Sequence, residues 1–177
     1  NGSIQKLFAE NTDLIVFQED KVSRALIDKD AIYSAEGSAI TTSAAQVVGQ
    51  MVPYLGNYGI TTDPESFAVY GYRKYFTDRK RNAVLRLSRD GITEISSYGM
   101  RDFFRDKISS LSPSSKIIGG WDIHSKNYVL SIQQDNGSYD TLSFDEEAKG
   151  WTSFFSYKPN FILSINSSLY SAYNGEL

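Results

Sequence analysis

The stretch FAVYGYRKYFTDRKRNAVLRLSRDGITEI, at residues 67–95, decides the fold class of this chain. It predicts four short strands with tight turns between them, at residues 67–70, 72–77, 83–88 and 92–95. In residues 84–87 polar side chains interrupt apolar ones, which is typical of antiparallel strands with one buried face. Four strands in about thirty residues is the length of one blade of a β-propeller.

Short apolar strands continue on both sides of this stretch. We predict further strands at residues 14–17, 21–26, 117–118, 121–123, 128–132, 139–144, 151–157, 161–165 and 169–173. One short helix is predicted near residues 98–110, because apolar side chains recur there at helical spacing, with Ser97 as N-cap and Pro113 beyond the end. The sequence therefore predicts a mainly β fold: antiparallel, propeller-like blades that form a partial propeller, with one helix.

A loose internal repeat supports the prediction of blades. Residues 72–95 resemble residues 121–144, and residues 161–177 resemble the start of another copy, at an offset of roughly 40 to 50 residues. At that period the chain holds about four units at most, one incomplete and one interrupted. We therefore expect residues 1–177 to be a single β-rich domain or a fragment of a larger propeller. The hairpin signal Asn174-Gly175, close to the last residue, favours the fragment.

Residues 28–66 do not follow the strand pattern. A short helix has room at residues 42–52, but Gly49 and Pro53 interrupt it, and Gly56 and Gly59 follow. Nearly forty residues without a clear element is long for a connection. We predict an elaborated loop or insertion here.

The composition excludes several kinds of site. The chain has 177 residues, with 18 Lys and Arg, 21 Asp and Glu, one His, no Cys and a formal net charge of −3. The absence of Cys rules out disulfides, thiolate zinc sites and cysteine nucleophiles. The net charge gives no reason to expect nucleic-acid binding through overall charge. No stretch approaches the ~20 apolar residues of a membrane span.

Individual residues predict no catalytic, cofactor-binding or metal site. The only histidine, His124, is interpreted as an ordinary turn or strand residue rather than part of a catalytic triad. The carboxylates of residues 135–147 lack the spacing of a calcium loop and indicate a solvated turn. Asp90-Gly91 resembles the sialidase turn motif Ser-x-Asp-x-Gly-x-Thr-Trp, but its spacing differs, so a hairpin turn is favoured. Gly119-Gly120 and residues 56–59 lack the Lys-Ser/Thr ending of a phosphate loop.

Positive charge and aromatic rings alternate in residues 72–89. Seven of the 18 basic residues lie there: Arg73, Lys74, Arg79, Lys80, Arg81, Arg86 and Arg89. With Tyr72, Tyr75 and Phe76 they fit a phosphate-contacting patch with stacking aromatics. They also fit the outward face of a blade with a charged turn at residues 78–82, where edge cations discourage aggregation. We favour the outward face. The apolar pair Phe103-Phe104 is interpreted as core.

The residues PESFAVYGYRKYFTDRKRNAVLRLSRDGITEISSYGMRDFFRD, at 64–106, resemble the tail nozzle proteins of short-tailed, crAss-like bacteriophages, also called muzzle or tail-stabilisation proteins. Residues 14–27, 119–132 and 150–177 are similar to the same family. The resemblance implies a propeller-based structural protein of the virion tail. Its ring would lie below the portal and adaptor, bound the DNA exit channel and contact tail fibres. The resemblance carries no catalytic residues over to this chain.

Three hypotheses follow. The first is a non-enzymatic structural segment of a phage tail nozzle, made in the host bacterial cytoplasm and found in the virion tail. Its expected partners are the portal and adaptor ring, the tail fibres and other copies of the full-length protein, with passive DNA contact, no cofactor and no assigned binding residues. The alternative is a glycan- or receptor-binding propeller module that uses aromatics such as Trp121, Tyr128 and Trp151. The third is a glycosidase-type propeller, for which no acid and base pair can be chosen.

Overall fold

The computed structural model describes residues 1–27, 32–33, 39–40 and 48–176, and the chain is mainly β. Three four-stranded antiparallel sheets and a hairpin follow one another along the chain. The first sheet is formed by β1 (Ile4–Glu10), β2 (Asp13–Gln18) and β3 (Val22–Ile27), then, after the two-residue pair β4 (Ile32–Tyr33) and β5 (Ala39–Ile40), by β6 (Val48–Pro53). The second sheet is formed by β7 (Ala68–Tyr70), β8 (Arg73–Asp78), β9 (Ala83–Ser88) and β10 (Gly91–Glu94).

The second half of the chain repeats this plan after one helix, α1 (Arg101–Ser109). The third sheet is formed by β11 (Lys116–Asp122), β12 (Asn127–Gln133), β13 (Tyr139–Asp145) and β14 (Gly150–Phe155), and the last hairpin by β15 (Phe161–Ile165) and β16 (Ser168–Ala172). Each sheet is a meander, because its strands pair in the order in which they follow one another. The prediction of a mainly β, blade-like fold with one helix near residues 98–110 is confirmed.

Residues with a left-handed backbone conformation, at positive φ, lie in the tight turns between strands. Asn11 between β1 and β2, Asn82 before β9 and Asn166 between β15 and β16 have φ angles of 54°, 53° and 55°. Asparagine tolerates this region better than other side chains, and glycine takes it without penalty. Gly91, at φ 105°, completes the hairpin turn with Asp90 that the sequence predicted.

The first strands of successive sheets lie side by side. β7 lies beside β11, and β11 lies beside β15. At the other end of the stack the ring centroid of Phe8, on β1, is 5.8 Å from that of Phe67, which directly precedes β7. Every first strand is also the edge strand of its sheet. The sheets are therefore stacked face to face with their first strands on one common side.

The second sheet is buried on both faces. On β9, Val84 packs into a core shared with the third sheet, whereas Leu85 and Leu87 pack into a core shared with the first sheet. Tyr75 and Phe76 on β8 divide between the two cores in the same way, as the period of two in a strand requires. The expectation of one buried face was wrong for residues 84–87, because both neighbours of this sheet are sheets.

Helix α1 closes one end of the contact between the second and third sheets. Phe104 and Ile108 are buried in the core of that contact. The predicted cap is wrong: Met100 occupies the N-cap position without a side-chain bond, and the Ser97 hydroxyl donates to the Glu94 carbonyl. Ser97 instead ends a 3₁₀ turn.

The predicted strands agree with the observed ones to within a few residues, but β1, β4, β5 and β6 were not predicted as strands. β1 was missed because polar residues and lysine interrupt its apolar side chains. Residues 48–53, which were predicted to belong to the loop, form β6 and pair with β3. Residues 42–47 lie outside the described residues. The interpretation of residues 28–66 as an insertion stays a prediction.

The repeat has the predicted period but not the predicted frame. The second sheet, the third sheet and the last hairpin begin at Ala68, Lys116 and Phe161, which are 48 and 45 residues apart. Residues 72–95 contain the second to fourth strands of one sheet, whereas residues 121–144 contain the end of a first strand followed by the second and third strands of the next. The similar Asp-Gly and Asp-Asn-Gly turns follow different strands, which produced the slip of one strand.

Candidate functional site

Most cations of the basic cluster at residues 73–89 have a partner within the protein. Five of its seven cations form ion pairs with carboxylates: Lys74, Arg79, Lys80, Arg81 and Arg86. The Arg89 guanidinium lies over the ring of Tyr72, 3.6 Å from its centroid. The outward-face interpretation agrees with the exposure of Arg73, Lys80, Arg81 and Arg89 and is wrong for Lys74, which is buried.

Lys74 connects the second sheet to the first. Its side chain is only 3% exposed, its ammonium pairs with the Glu10 carboxylate on β1, and it lies 5.5 Å from the ring centroid of Phe8. Beyond the other end of β8, Lys80 donates to Asp20 in the β2–β3 turn at 2.9 Å. A buried ammonium requires a charged or polar partner. The two lysines therefore fasten the contact between these sheets at both ends.

Arg79 connects three segments around the second sheet. Its guanidinium donates to both carboxylate oxygens of Asp63, at 2.9 and 2.5 Å, and to the carbonyls of Ser112 and Ser115, each at 2.8 Å. The fork geometry of arginine suits this combination of a carboxylate and two carbonyls. Arg79 thus fixes the loop before β7 and the loop before β11 relative to the β8–β9 turn.

Asp78 is the fully buried carboxylate of the same region. It accepts hydrogen bonds from the backbone N–H of Gly59 at 3.0 Å and from the backbone and guanidinium of Arg81 at 3.1 and 2.9 Å. Burial raises the pKa of Asp78, and these donors oppose that change. Its role is to hold the β8–β9 turn against the loop that contains Gly59.

Glu146 links the second and third sheets. It pairs with Arg86 on β9 and accepts a hydrogen bond of 2.7 Å from the hydroxyl of Tyr75 on β8. Tyr75 and Arg86 are directly opposite each other in the β8–β9 pairing. Two side chains of one sheet therefore converge on one carboxylate of the next.

Aromatic rings fill the same contact as a stacked series. The ring centroids of Tyr70 and Trp121 are 4.5 Å apart, those of Trp121 and Tyr75 are 5.6 Å apart, and those of Tyr75 and Tyr128 are 4.8 Å apart. Tyr128 is fully buried and donates to the Ser66 carbonyl at 2.7 Å. Burial raises the pKa of Tyr75 and of Tyr128, and for Tyr75 the Glu146 carboxylate adds to the effect.

Gly119 and Gly120 allow the first strands to approach closely. A Cβ atom on Gly119 would lie 2.1 Å from the Ser66 carbonyl oxygen, and one on Gly120 would lie 2.4 Å from Cγ2 of Ile162. The two glycines thus lie against the segment before β7 on one side and β15 on the other. The two glycines therefore allow close packing of the second sheet, the third sheet and the last hairpin. They do not form a phosphate loop, as the sequence indicated.

The adjacent first strands β7, β11 and β15 form one surface, which we call the first-strand face. It contains a broad depression of about 450 Å³ lined by residues such as Val69, Gly119, Ile162 and Ser164. The lining includes no Lys, Arg, Asp or Glu. The uncharged depression contrasts with the sheet contacts behind it, where the cations are concentrated, and Lys116, at the start of β11, lies outside its lining.

The other sequence candidates occupy structural positions. His124 is exposed in the β11–β12 turn, where its backbone N–H donates to Asp122 at 2.9 Å. Asp135 accepts a hydrogen bond from Ser114 at 2.7 Å, and Asp145 accepts from the turn amide of Glu147 at 2.8 Å. Within the described part of the chain, no group of three or more His, Asp or Glu side chains is arranged to hold a metal ion.

The aromatic residues considered for glycan binding are mostly buried. Tyr128 is fully buried, Trp121 is 8% exposed, and the Trp151 indole donates to the Ile95 carbonyl at 3.1 Å. Phe104 is core, as predicted, and Phe103 is partly buried against the same cluster.

Sequence reasoning missed the partners of the basic cluster for a physical reason. Glu10, Asp63 and Glu146 lie 64, 16 and 60 residues from their cations, so spacing along the chain could not pair them. One signal was available: Lys74 lies within a strand whose neighbours are aromatic, and a lysine there must find a carboxylate across the core.

One protein family matches nearly the whole chain. Residues 1–175 match the crassvirus muzzle proteins. The chain belongs to this family. The comparison with curated proteins found no match.

Membership of the muzzle family identifies the chain as a structural component of the phage tail. It is a virion protein that interacts with other virion proteins. In the described residues no helix has the length and apolar character needed to cross a membrane. The resemblance to crAss-like tail muzzle proteins seen in the sequence is thereby confirmed.

Proposed function

We propose that this muzzle-family chain is a rigid wall segment of the DNA exit channel and that its first-strand face is turned toward the DNA. The observation that carries the proposal is the lack of charged residues in the lining of that face. DNA affinity depends mainly on cations that neutralise phosphates, so a depression lined without Lys or Arg does not retain passing DNA.

Rigidity comes from the contacts behind the face. The buried pair of Lys74 with Glu10 and the fork of Arg79 on Asp63 fix neighbouring sheets, and Gly119 brings the first strands into backbone contact. A wall that confines DNA under pressure needs such interlocked sheets more than it needs mobile loops. The same ion pairs neutralise Lys74 and Arg79, so these two cations are not free to bind phosphates.

The proposal extends to assembly and to chemistry. The stacked sheets are consecutive blades of a propeller whose axis runs along the first strands, and the whole protein assembles as a ring with the portal and adaptor and contacts the tail fibres. The exposed apolar side chains of the first sheet, including Leu7 and Met51 at 50% and 46% exposure, are the candidate contacts. No catalytic step is part of this function.

The test compares a new lysine on the first-strand face with a new lysine at the opposite edge of the third sheet. Virions carrying Val69→Lys, on the first-strand face, are expected to eject DNA more slowly than wild type, because a lysine repeated around the channel binds phosphates. Thr152→Lys is the matched control, since Thr152 is exposed on β14, at the opposite edge of the third sheet. Time-resolved ejection into dye-containing buffer is the measurement, at low and high salt.

The two variants separate the possible outcomes. Slower ejection by Val69→Lys alone, reversed by salt, supports the proposal. Equal rates for wild type and both variants would show that the first-strand face does not border the DNA path. Electron microscopy of the same particles verifies that tails assemble, so that an assembly defect is not mistaken for slow ejection.

A further inference from the structure

A second cavity lies where the second and third sheets meet, beside the stacked aromatic rings. Its volume is about 230 Å³, and Tyr70 and Trp121 form part of its wall. Tyr70 is 41% exposed and stacks on Trp121 with only 8° between the ring planes. An exposed aromatic ring fixed by a second ring is a rigid apolar platform.

Several polar groups of this cavity have no hydrogen-bond or ion-pair partner among the described residues. The Trp121 indole N–H is buried and has no hydrogen-bond partner among the described residues. Buried polar groups nearly always have a partner, and leaving one unmade costs roughly 1–3 kcal/mol. Arg73 and Lys126, which also line the cavity, form no ion pair with another described residue.

The carboxylates that line the cavity decide which ligand charge it accepts. Asp145, Glu146 and Glu147 line it together with the two cations. Glu146 is paired with Arg86, and Asp145 accepts from turn amides, so both have protein partners. The cavity therefore offers donors and acceptors in similar number and no net positive charge, which disfavours an anionic ligand.

A cleft between the first and second sheets provides the comparison. Its volume is about 360 Å³, and it is lined by Tyr72, Lys74, Arg24 and Arg89 among others. These cations are engaged: Lys74 with Glu10, Arg24 with Asp13 at 3.6 Å, and Arg89 over the Tyr72 ring. Size alone would favour this larger cleft, but its charged groups already have partners.

We propose that the cavity beside Tyr70 and Trp121 binds a neutral saccharide. The sugar ring lies on the face of Tyr70 that Trp121 leaves free, and its hydroxyls bond Arg73, Lys126 and Glu147. A neutral polyol satisfies both donors and acceptors, whereas an acidic sugar meets the carboxylates. The cavity volume suits one sugar unit of a chain rather than a drug-sized ligand. Binding of a saccharide goes beyond the proposed role as channel wall, although Tyr70 and Trp121 also line the depression of the first-strand face.

The test uses the indole signals of the protein. The chain has two tryptophans, so a nitrogen-correlated NMR spectrum contains two indole N–H peaks. Glucose, galactose, mannose and N-acetylglucosamine are titrated separately, with sodium glucuronate as the acidic comparison. The expected result is a saturable shift of the Trp121 peak for at least one neutral sugar, with affinity near about 1 mM, and a weaker response to glucuronate. The Trp151 peak, whose N–H is bonded to Ile95, stays in place.

Two variants complete the test. Tyr70→Ala should weaken the titration at least about tenfold, because it removes the platform. Tyr72→Ala, which removes another exposed tyrosine at the comparison cleft, should leave it unchanged. If none of the neutral sugars shifts the Trp121 peak saturably, or if both variants weaken binding equally, the saccharide site is wrong. A stronger response to glucuronate than to glucose would also overturn it.

Discussion

The contact between the first and second sheets differs in chemistry from the contact between the second and third. The first is filled by aliphatic side chains and by edge-to-face phenylalanines, with Phe17 and Phe76 5.2 Å apart and 72° between their ring planes. The second also contains aliphatic side chains, but its central rings of tyrosine and tryptophan are nearly parallel, and the hydroxyls of Tyr75 and Tyr128 donate to a carboxylate and to a backbone carbonyl. The same sheet meets two neighbours in two different ways.

The comparison shows that the side chains that fill a contact need not be the ones that align the two sheets. Phenylalanines have no directional group, so the first contact takes its alignment from the pairs at its ends, Lys74 with Glu10 and Lys80 with Asp20. In the second contact the hydroxyls of Tyr75 and Tyr128 are themselves directional. The first contact should therefore respond most to lost volume, and the second to altered spacing or hydroxyl groups.

Lost volume is tested most strongly at Phe76. Phe76→Ala removes a fully buried ring from the contact between the first and second sheets and is expected to lower the free energy of unfolding by about 3–5 kcal/mol. Urea unfolding followed by circular dichroism measures the change. Phe161→Ala, at a side chain with 48% exposure in the last hairpin, is the control and should cost much less. Equal costs would mean that this contact is not a packed core.

Spacing is tested at Gly119 in the other contact. In Gly119→Ala the new methyl group meets the Ser66 carbonyl at 2.1 Å, and backbone cannot rotate away as a side chain can. We expect a loss of about 3 kcal/mol in unfolding free energy. Gly150→Ala is the matched control, because its nearest neighbour, the Ala148 carbonyl, is 3.8 Å from the new atom. A Gly119→Ala protein as stable as the Gly150→Ala protein would contradict the close approach of the first strands.

The contrast between the two contacts also explains what the sequence could predict. Strands, hairpin turns such as Asp90-Gly91 and the helix around Phe104 depend on neighbours in sequence, and the patterns of residues 67–111 contained that information. Residues 84–87 were predicted to have one solvent face because alternation looks the same whether the second face meets water or another sheet. Only the position of that sheet within the stack decides between the two.

The candidate site was less predictable than the fold. The partners of Lys74, Arg79 and Arg86 are carboxylates on other sheets, so their pairing depends on how sheets stack. Gly119-Gly120 was considered only as a phosphate loop. Trp121 was named as an aromatic for glycan binding, whereas its exposed neighbour Tyr70 was not, because stacking of β7 on β11 is a property of tertiary structure.

Removing either partner of the Lys74–Glu10 ion pair should lower stability by a smaller amount, and the cost should differ between the two partners. Glu10→Gln leaves the buried ammonium of Lys74 without a charged partner and should cost about 1–3 kcal/mol. Lys74→Met places an apolar chain of similar length in the buried position and leaves Glu10, which is 23% exposed, accessible to water, so it should cost less. Thermal and urea unfolding of the two variants measure the order. The reverse order would show that Glu10, rather than Lys74, is the group that depends on the pair.

The hydroxyl groups of the second contact give the smallest effect, a change in the alkaline slope of stability. Burial raises the pKa of Tyr75 in the folded chain above the value near 10 of an unfolded tyrosine, so only the unfolded chain releases this proton as the pH first passes 10. Stability from this group is complete below pH 10 and is lost above it, by about 1.4 kcal/mol per pH unit.

Tyr75→Phe should therefore make the decline of unfolding free energy above pH 10 shallower by one proton, measured by urea unfolding at several alkaline pH values. Phe76→Leu, on the opposite face of the same strand, is the control: it lowers stability at every pH without altering the slope, because no titrating group is removed. A Tyr75→Phe protein with the wild-type slope would mean that the Tyr75 hydroxyl is accessible to solvent. The stacked rings would then fill the second contact by shape alone, as the phenylalanines fill the first.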